Sequence, residues 1–244
     1  MTIIQGDTGL IIVDPLTSEE TAEAALALVR EHLGDVPVVA VIFTHSHIDH
    51  FAGAWGVINR DDYDAGKVRV IAPIGFMDEA TSENIIAGTA MARRASFMYG
   101  RRLAKGPHGH VGSGLGKSPA YGTFGIATPT EIIDTTGQRL NIDGLDFVFQ
   151  NAPGSEAPAE LTFGIPELAA YCGAEIATRT MHNLYTLRGA KVRDALRWSD
   201  YIEQARTLFE DAEVFGSKYA KYFAQIANGG LGLTENLDVS TVLQ

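Results

Sequence analysis

The chain has 244 residues, of which 45% are hydrophobic and 20% charged, so it is long enough to bury a core and too apolar for a disordered protein. Its formal net charge of -11 argues against a nucleic-acid or anionic-membrane surface, because no broad basic face can neutralise phosphates. A single cysteine, Cys172, excludes an internal disulfide and a cysteine-based zinc cage. No apolar run is long enough to span a bilayer and no secretion signal follows Met1, which leaves the compartment open.

The first half of the chain alternates strands and helices. The apolar runs GLIIVDP, VPVVAVIFT and KVRVIAP predict strands, and the first two have the composition of strands buried on both faces. Between the first two, Thr17 and Glu20 stand in the capping-box relation at the start of a helix that Gly34 ends. Residues 77–99 keep one apolar stripe at helical spacing. This alternation predicts a layered α/β fold.

The second half begins with strands. EIIDTTGQRLNIDGLDFVFQNAPG predicts strands separated by turns at Thr136-Gly137 and Asp143-Gly144, and LTFGIPELAAYCGAE predicts two more around Pro166. Cys172 lies in this apolar stretch, which favours a buried structural thiol over a nucleophile. KVRDALRWSDYIEQARTLFE predicts a long amphipathic helix. We therefore expect a core over residues 1–217 and a divergent tail over residues 218–244, which have no clear period.

The motif THSHIDHFAG, residues Thr44–Gly53, places three histidines and an aspartate within six consecutive positions directly after a predicted strand. A turn that enters a helix can gather such side chains around one point, and neutral imidazoles with a carboxylate are ligands that zinc accepts. The motif therefore predicts a metal site built on His45, His47, Asp49 and His50.

One turn cannot supply every ligand of two metal ions, so others must come from elsewhere in the chain. Each of the remaining histidines has a simpler explanation, such as a helix C-terminus or a solvated loop. They are His32, His108, His110 and His182. Carboxylates at strand ends are the better candidates.

A run of basic residues has two readings. A solvated helix face is favoured over an anion site, and neither is excluded by the sequence. The run consists of Arg93, Arg94, Arg101, Arg102 and Lys105.

THSHIDH after a strand, with VDP on an earlier strand, resembles the metallo-β-lactamase superfamily, which implies an αββα sandwich with a one- or two-zinc site along its edge. Further blocks resemble the alkylsulfatase branch, whose members hydrolyse dodecyl sulfate and related esters. These blocks are VDPLTSEETAEAALALV, SENIIAGTAMARRASFMYG, GPHGHVGSGLGK, PGSEAPAEL and HNLYTLRGAKVRDA. They extend from about Gly6 to about Glu210, which is most of the chain.

The resemblance implies a complete set of metal ligands. His45, His47 and Glu156 would hold one zinc ion, and Asp49 and His50 would hold the other. Glu175 would bridge the two ions. Glu156, in PGSEAPAE, stands for the histidine that many superfamily members place in this turn.

The resemblance also implies the chemistry. A water bridging two zinc ions would be converted to the hydroxide that attacks the ester, with Asp49 and Glu175 as catalytic carboxylates. Asp14 would fix the orientation of the metal loop. For the substrate, Arg188 would bind the sulfate, although it could also be a solvated arginine at a helix start; His182 and Asn84 are weaker candidates for substrate contacts.

The sequence departs from the family at the last ligand. The family has a final strand that runs into a histidine-rich turn, whereas this chain reads Ser217, Lys218, Tyr219 and Ala220, with no histidine after His182. A protonated lysine has no lone pair for zinc. We therefore expect the second zinc to bind weakly or to keep an additional water.

The relatives are also longer. They carry additional strands before the VDP strand, and a helical dimerisation domain and a lipid-carrier-like domain after the core. We expect an excised catalytic core, without the domain through which full-length relatives would form homodimers. Two alternatives to an alkylsulfatase stay open: another hydrolase of the superfamily, acting on a lactam, thioester or phosphodiester, and a degenerate, inactive zinc-binding core.

Overall fold

The computed structural model describes residues 1–113, 120–178 and 182–216. Within these residues the strands are β1 (Thr2–Gln5), β2 (Leu10–Val13), β3 (Val38–Ile42), β4 (Arg69–Pro73), β5 (Glu131–Ile133), β6 (Arg139–Ile142), β7 (Leu145–Asn151), β8 (Leu161–Ile165), β9 (Ala170–Cys172) and β10 (Val214–Gly216). The helices are α1 (Glu19–Leu33), α2 (Ile48–Phe51), α3 (Arg60–Asp64), α4 (Phe76–Thr81), α5 (Gly88–Met98) and α6 (Ala195–Leu208). Short 3-10 turns span Ala54–Gly56 and Pro166–Leu168, and a π-helical turn spans Ser82–Ile86.

Two five-stranded sheets form the centre of the fold. The first has the order β1-β2-β3-β4-β5, with β2 to β5 parallel and β1 antiparallel at its edge. The second has the order β10-β9-β8-β7-β6 and is antiparallel except where β10 pairs with β9. The predicted αββα sandwich is confirmed.

Three buried clusters hold the layers together. One lies between the sheets, where Ile11 and Ile42 of the first sheet meet Phe149 and Phe163 of the second. A second cluster packs the outer face of the first sheet against α1 and the segment after β3. A third, around Trp198, packs α6 near the end of β7. All four residues of β2 are buried, as the sequence predicted for a strand covered on both faces.

The predicted strands are confirmed, and so are the first and last predicted helices, which are α1 and α6. The predicted capping box at the start of α1 is wrong. Helix α1 begins after Ser18, whose Oγ accepts a hydrogen bond from the Thr21 amide at 3.4 Å. The carboxylate of Glu20 instead accepts from the amide and hydroxyl of Thr123, at 2.9 and 2.7 Å. A distant segment that offers two donors therefore competes successfully with the local cap.

Two further features differ from the sequence predictions. Strand β1 was not predicted, because TIIQ is short and only partly buried, as befits an edge strand. The predicted helix over residues 77–99 is interrupted by the π-helical turn Ser82–Ile86. This wider turn carries Glu83 in a buried position, although Ile85 and Ile86 of the same turn are exposed.

No helix within the described ranges has the length and apolar character needed to cross a membrane.

Gly53, at the end of the THSHIDHFAG motif, lies where the chain passes close to the start of α1. Its amide donates to the Leu16 carbonyl at 3.0 Å, and a Cβ atom placed there would lie 2.7 Å from the Ser18 carbonyl oxygen and closer still to that of Pro15. We expect Gly53→Ala to lower the free energy of unfolding by about 1–3 kcal/mol, because backbone atoms must move apart. Chemical denaturation measures this change.

Gly88→Ala is the matched control, since the nearest atom to its added Cβ is the Glu83 carbonyl oxygen at 3.8 Å. Equal stability losses in the two variants would contradict the close approach at Gly53.

Candidate metal centre

The ends of several strands place the candidate site along one edge of the sandwich. The THSHIDH motif follows β3 directly, and Asp14 follows the neighbouring parallel strand β2. Glu156 lies on the turn between β7 and β8, and Glu175 lies just beyond β9. Because the carboxyl ends of adjacent parallel strands meet at one edge, residues distant in sequence converge there.

The side chains of His45, His47, Glu156 and Glu175 form one compact group, with all four ligand atoms within 4.8 Å of one another. His45 Nε2 lies 3.5 Å from Glu156 Oε2 and 3.7 Å from Glu175 Oε2. His47 Nδ1 lies 2.8 Å from the same Glu156 oxygen. All four residues are buried. These distances leave room for a cation that each ligand atom could reach.

A second group consists of Asp14, His45 and His50. Asp14 Oδ2 lies 2.7 Å from His50 Nδ1 and accepts from the Thr44 hydroxyl at 2.7 Å, while its other oxygen accepts the Thr44 amide at 2.8 Å. These contacts fix the His50 ring so that Nε2 faces Glu175 Oε1 and Asp49 Oδ2, each at 3.6 Å. Asp14 is therefore placed where an orienting carboxylate must stand.

The charge states of the group suit metal binding. Burial, together with the charges of His50 and His47, lowers the pKa of His45 to about 3, so its imidazole is neutral at neutral pH. Burial alone would raise the pKa of Glu156, but the contacts with His47 and His45 together outweigh it and lower this pKa to about 2. Glu156 is therefore ionised and His45 unprotonated, which are the forms that bind a metal ion.

His50 behaves differently from His45. Burial opposes its protonation, but the carboxylates of Asp14 and Asp49 raise the pKa of His50 well above its ordinary value. The same contact with His50 lowers the pKa of Asp14 despite burial. The pair is thus strongly polarised, with Nδ1 of His50 directed at Asp14.

The residues present fit a divalent cation. Within the part of the chain that the structure describes, His45 Nε2 is buried and has no hydrogen-bond partner. A buried polar atom of this kind is costly unless a partner satisfies it, and buried carboxylates need positive charge close by. Imidazole nitrogens and carboxylate oxygens without a thiolate are ligands that zinc accepts.

Three predicted substrate-binding residues have different surroundings. His182 Nε2 lies 3.5 Å from Glu156 Oε1, beside the metal-binding group. Asn84 lies on the π-helical turn, where its side-chain amide donates to the Ala80 carbonyl at 2.9 Å. Arg188 is half-buried on the turn before Gly189, and among the described residues it makes no ion pair with the group.

A cavity of about 220 Å³ opens beside the group. His47 and Glu156 contribute to its wall, together with residues that the sequence did not single out, notably Glu83, Lys191 and Arg193. Glu83 is buried, and its Oε2 lies 3.9 Å from His47 Nε2, on the side of the ring away from Glu156. The sole signal for Glu83 in the sequence was its place in SENIIAG, one of the blocks that resemble the alkylsulfatases.

Arg193 and Glu160 were also missed by sequence reasoning. Arg193 is buried, and its guanidinium donates hydrogen bonds to both the carboxylate and the backbone carbonyl of Glu156. Glu160 Oε2 accepts from the Ser155 hydroxyl and the Ala157 amide, both at 2.8 Å, so it braces the PGSEAPAE turn. Burial, and then the charge of Glu156, raise the pKa of Glu160 well above its ordinary value.

Three other features that the sequence singled out, namely His32, the run of basic residues and Cys172, lie outside the metal-binding group. His32 lies at the end of α1 and its Nδ1 donates to the Leu28 carbonyl at 2.9 Å. The five basic residues from Arg93 to Lys105 named above are exposed, which favours the solvated face over an anion site. Burial raises the pKa of the Cys172 thiol to about 12, in keeping with a structural thiol.

The last described strand, β10, ends just before the position where the family has its final histidine ligand. Strand β10 runs parallel to β9, with Gly216 opposite Cys172, so both strands end at the edge that carries Glu175. Ser217, Lys218, Tyr219 and Ala220 lie outside the described residues, as does the predicted tail over residues 218–244.

The comparison with known families agrees with this geometry. The model of the metallo-beta-lactamase superfamily matches residues 1–131, more than half of the chain, and the chain therefore belongs to this superfamily. A metallo-beta-lactamase from Pontibacter korlensis is 16% identical with a TM-score of 0.53, over 88% of this chain and 76% of that one, a similarity that shows a shared fold alone.

Among curated proteins, a linear primary-alkylsulfatase from Pseudomonas is 52% identical over 211 residues, which are 86% of this chain and 31% of the relative. The alkyl/aryl-sulfatase BDS1 of Saccharomyces cerevisiae is 46% identical over 92% of this chain and 34% of its own length. The solved structure of the stereoselective inverting sec-alkylsulfatase Pisa1 from Pseudomonas has a TM-score of 0.83 and 44% identity, covering 88% of this chain and 34% of that one. The chain thus spans about a third of the length of these relatives.

Asp14 offers a test of how the ligands are held. We expect Asp14→Asn to weaken zinc binding by about 10- to 100-fold, because an amide has one acceptor oxygen and cannot accept from both the Thr44 amide and His50 Nδ1, as the two carboxylate oxygens do. Competition with a chromophoric chelator measures the zinc affinity. Asp35→Asn serves as the control, since Asp35 is exposed and contacts Arg30; an Asp14 variant that binds zinc as tightly as this control would contradict the orienting role.

Proposed function

We propose that this chain is the catalytic core of a zinc-dependent hydrolase of the alkylsulfatase type, acting on alkyl sulfate esters. The observation that carries the proposal is the buried group of His45, His47, Glu156 and Glu175, whose ligand atoms all lie within 4.8 Å of one another. Relatives 46–52% identical to the chain are named as alkylsulfatases.

The metal ligands divide into two sets under this proposal. His45, His47 and Glu156 would hold one zinc ion, Asp49 and His50 would hold the second, and Glu175 would serve both. The distances from Glu175 to His45 Nε2 and to His50 Nε2, 3.7 and 3.6 Å, support a bridging position. Zinc held there would lower the pKa of a bound water toward neutrality and so supply the nucleophile for ester cleavage.

The protein side chains contribute orientation and proton handling. His45 is neutral and offers Nε2, while Asp14 keeps the His50 ring in the orientation that binding requires. The Asp49 side chain is 40% exposed, unlike that of Glu175 at 5%, so Asp49 is the carboxylate through which a proton would reach solvent. Asp49 and Glu175 are therefore the proposed catalytic carboxylates.

The substrate would approach the metal-binding group beside Glu156. His182 Nε2 lies 3.5 Å from Glu156 Oε1 and would contact the sulfate, with Arg188 as the cation that binds its oxygens and Asn84 as a further polar contact. The part of the relatives beyond the matched third would bear on the alkyl chain and on homodimer formation. Binding of the alkyl chain and homodimer formation are therefore proposed only for a longer protein that contains this core.

Hydrolysis of dodecyl sulfate by the zinc-loaded protein tests the proposed function. We expect sulfate release from the wild-type chain and a loss of about 100-fold or more in His45→Ala, because the variant lacks a metal ligand. Ion chromatography measures the sulfate. Asp35→Asn, remote from the site, should retain the wild-type rate.

A parallel panel of a lactam, a thioester and a phosphodiester separates the alternatives. Turnover of one of these without sulfate release would indicate another hydrolase of the superfamily. Zinc binding without turnover of any substrate would indicate an inactive core, for which the absence of a histidine after His182 is the observation in favour.

A further inference from the structure

Arg193 is a buried arginine next to the proposed metal ligands. Arginine is rarely buried unless it is paired, and Arg193, which is only 7% exposed, is paired with Glu156. Its side chain donates four hydrogen bonds, two to Glu156 and two to Asn183. Nε donates to the Glu156 carbonyl at 2.6 Å and Nη2 to Glu156 Oε1 at 2.5 Å, while Nη1 donates to Asn183 Oδ1 at 2.8 Å and to the Asn183 carbonyl at 3.3 Å.

The contacts of Glu156 divide between its two oxygens. Oε1 faces Arg193, with His182 Nε2 at 3.5 Å, whereas Oε2 faces His45 Nε2 at 3.5 Å and His47 Nδ1 at 2.8 Å. One oxygen is therefore directed at the metal-binding group and the other at the guanidinium. A carboxylate held in this way can offer a single oxygen to a cation.

Backbone contacts tie Arg193 to the same two segments. The Arg193 amide donates to the Leu184 carbonyl at 2.9 Å, and the amide of Asp194 donates to the Gly154 carbonyl at 3.0 Å. Asp194 also caps α6. The turn that carries Glu156, the segment 182–184 and the start of α6 thus meet at one guanidinium.

The other cations around the cavity have different partners. Lys191 Nζ contacts both oxygens of Glu79, at 2.6 and 2.7 Å, and its side chain is 57% exposed. Arg197 Nε lies 3.6 Å from Asp194, and its side chain is 65% exposed. Among the described residues that line this cavity, Arg193 is the cation bound to Glu156.

We propose that Arg193 is a positioning residue that makes Glu156 a one-oxygen metal ligand and tethers the segment 182–184 to it. The planar guanidinium fixes Glu156 through two directed hydrogen bonds, one to its carboxylate and one to its backbone carbonyl, which the point charge of a lysine cannot reproduce. Without it the carboxylate is free to rotate and present both oxygens to the metal. The inference rests on the proposed metal-binding role of Glu156 and adds the residue that sets its geometry.

The test compares Arg193→Lys and Arg193→Ala with the wild-type chain, using zinc and cobalt(II) as probes. Chelator competition gives the zinc affinity, and the visible absorption spectrum of the cobalt(II) form reports the coordination geometry. We expect affinity losses of about 10- to 100-fold and an altered cobalt spectrum in both variants. Added guanidinium ion should restore part of the affinity of Arg193→Ala, an effect that a purely structural role would not give.

Arg197→Gln is the matched control, because it removes a cation from the same cavity without touching Glu156, and it should keep the wild-type affinity and spectrum. Circular dichroism and thermal melting establish that each variant folds. Should the Arg193 variants fail to fold, Asn183→Ala carries the test. Asn183 is exposed, and Asn183→Ala removes its side-chain acceptor for Nη1 and leaves only its backbone carbonyl, which accepts from Nη1 at 3.3 Å. This loss should weaken zinc binding about threefold or more and alter the cobalt spectrum.

Wild-type affinity and spectrum in Arg193→Lys, or in Asn183→Ala where that variant is used, would overturn the inference about Arg193 and leave the metal site intact. A wild-type chain that binds neither zinc nor cobalt(II) would overturn the proposed metal role of Glu156 and this inference together.

Discussion

The burial of ionisable side chains at one edge of the sandwich is the constraint on which the site depends. His45, His47, His50, Glu156 and Glu175 are all buried there, and Asp14 is nearly so. Buried carboxylates and imidazoles are costly unless charge or hydrogen bonds compensate them. Part of that compensation comes from Arg193 and from the Asp14–His50 pair. His45 Nε2 has no hydrogen-bond partner in the described part of the chain, although carboxylate oxygens lie 3.5 and 3.7 Å away, and a divalent cation would satisfy it.

The sandwich provides the framework for this arrangement. Its apolar layers, between the sheets and beneath the helices, fix the strands rigidly. The polar residues follow the ends of β2, β3 and β9, or lie on the turn after β7, where backbone geometry is free to aim them. The turn with Glu156 is held by two further side chains. Glu160 accepts hydrogen bonds from Ser155 and Ala157 of the turn, and Arg193, which lines the cavity, donates to Glu156. Metal ligands and their supporting residues therefore come from segments far apart in the chain.

Local signals were enough to predict much of this from the sequence. β-branched runs predicted β2, β3 and β4, turn residues separated the strands of the second sheet, and THSHIDH after a strand predicted a metal site. The αββα arrangement and the ligands Glu156 and Glu175 came from the resemblance to a family. Spacing alone gives no reason to link His45 to residues 111 and 130 positions later.

The residues that were missed depend on tertiary contacts. Arg193 is 37 positions from Glu156, and its burial follows from how α6 packs rather than from any local pattern. Glu83 is buried on a π-helical turn, and this turn interrupts what the apolar stripe predicted as one continuous helix. The capping box at α1 was wrong for the same reason, since Thr123 reaches Glu20 from more than 100 positions away.

The central claim, that the buried edge cluster is a divalent-cation site, is tested most directly by the zinc content of the purified chain. Equilibrium dialysis followed by elemental analysis should find one tightly held zinc ion and a second held weakly, given the lack of a histidine after His182. His45→Ala should lose the tight site. A wild-type chain that retains no zinc, or a His45→Ala variant that retains as much as the wild type, would contradict the account.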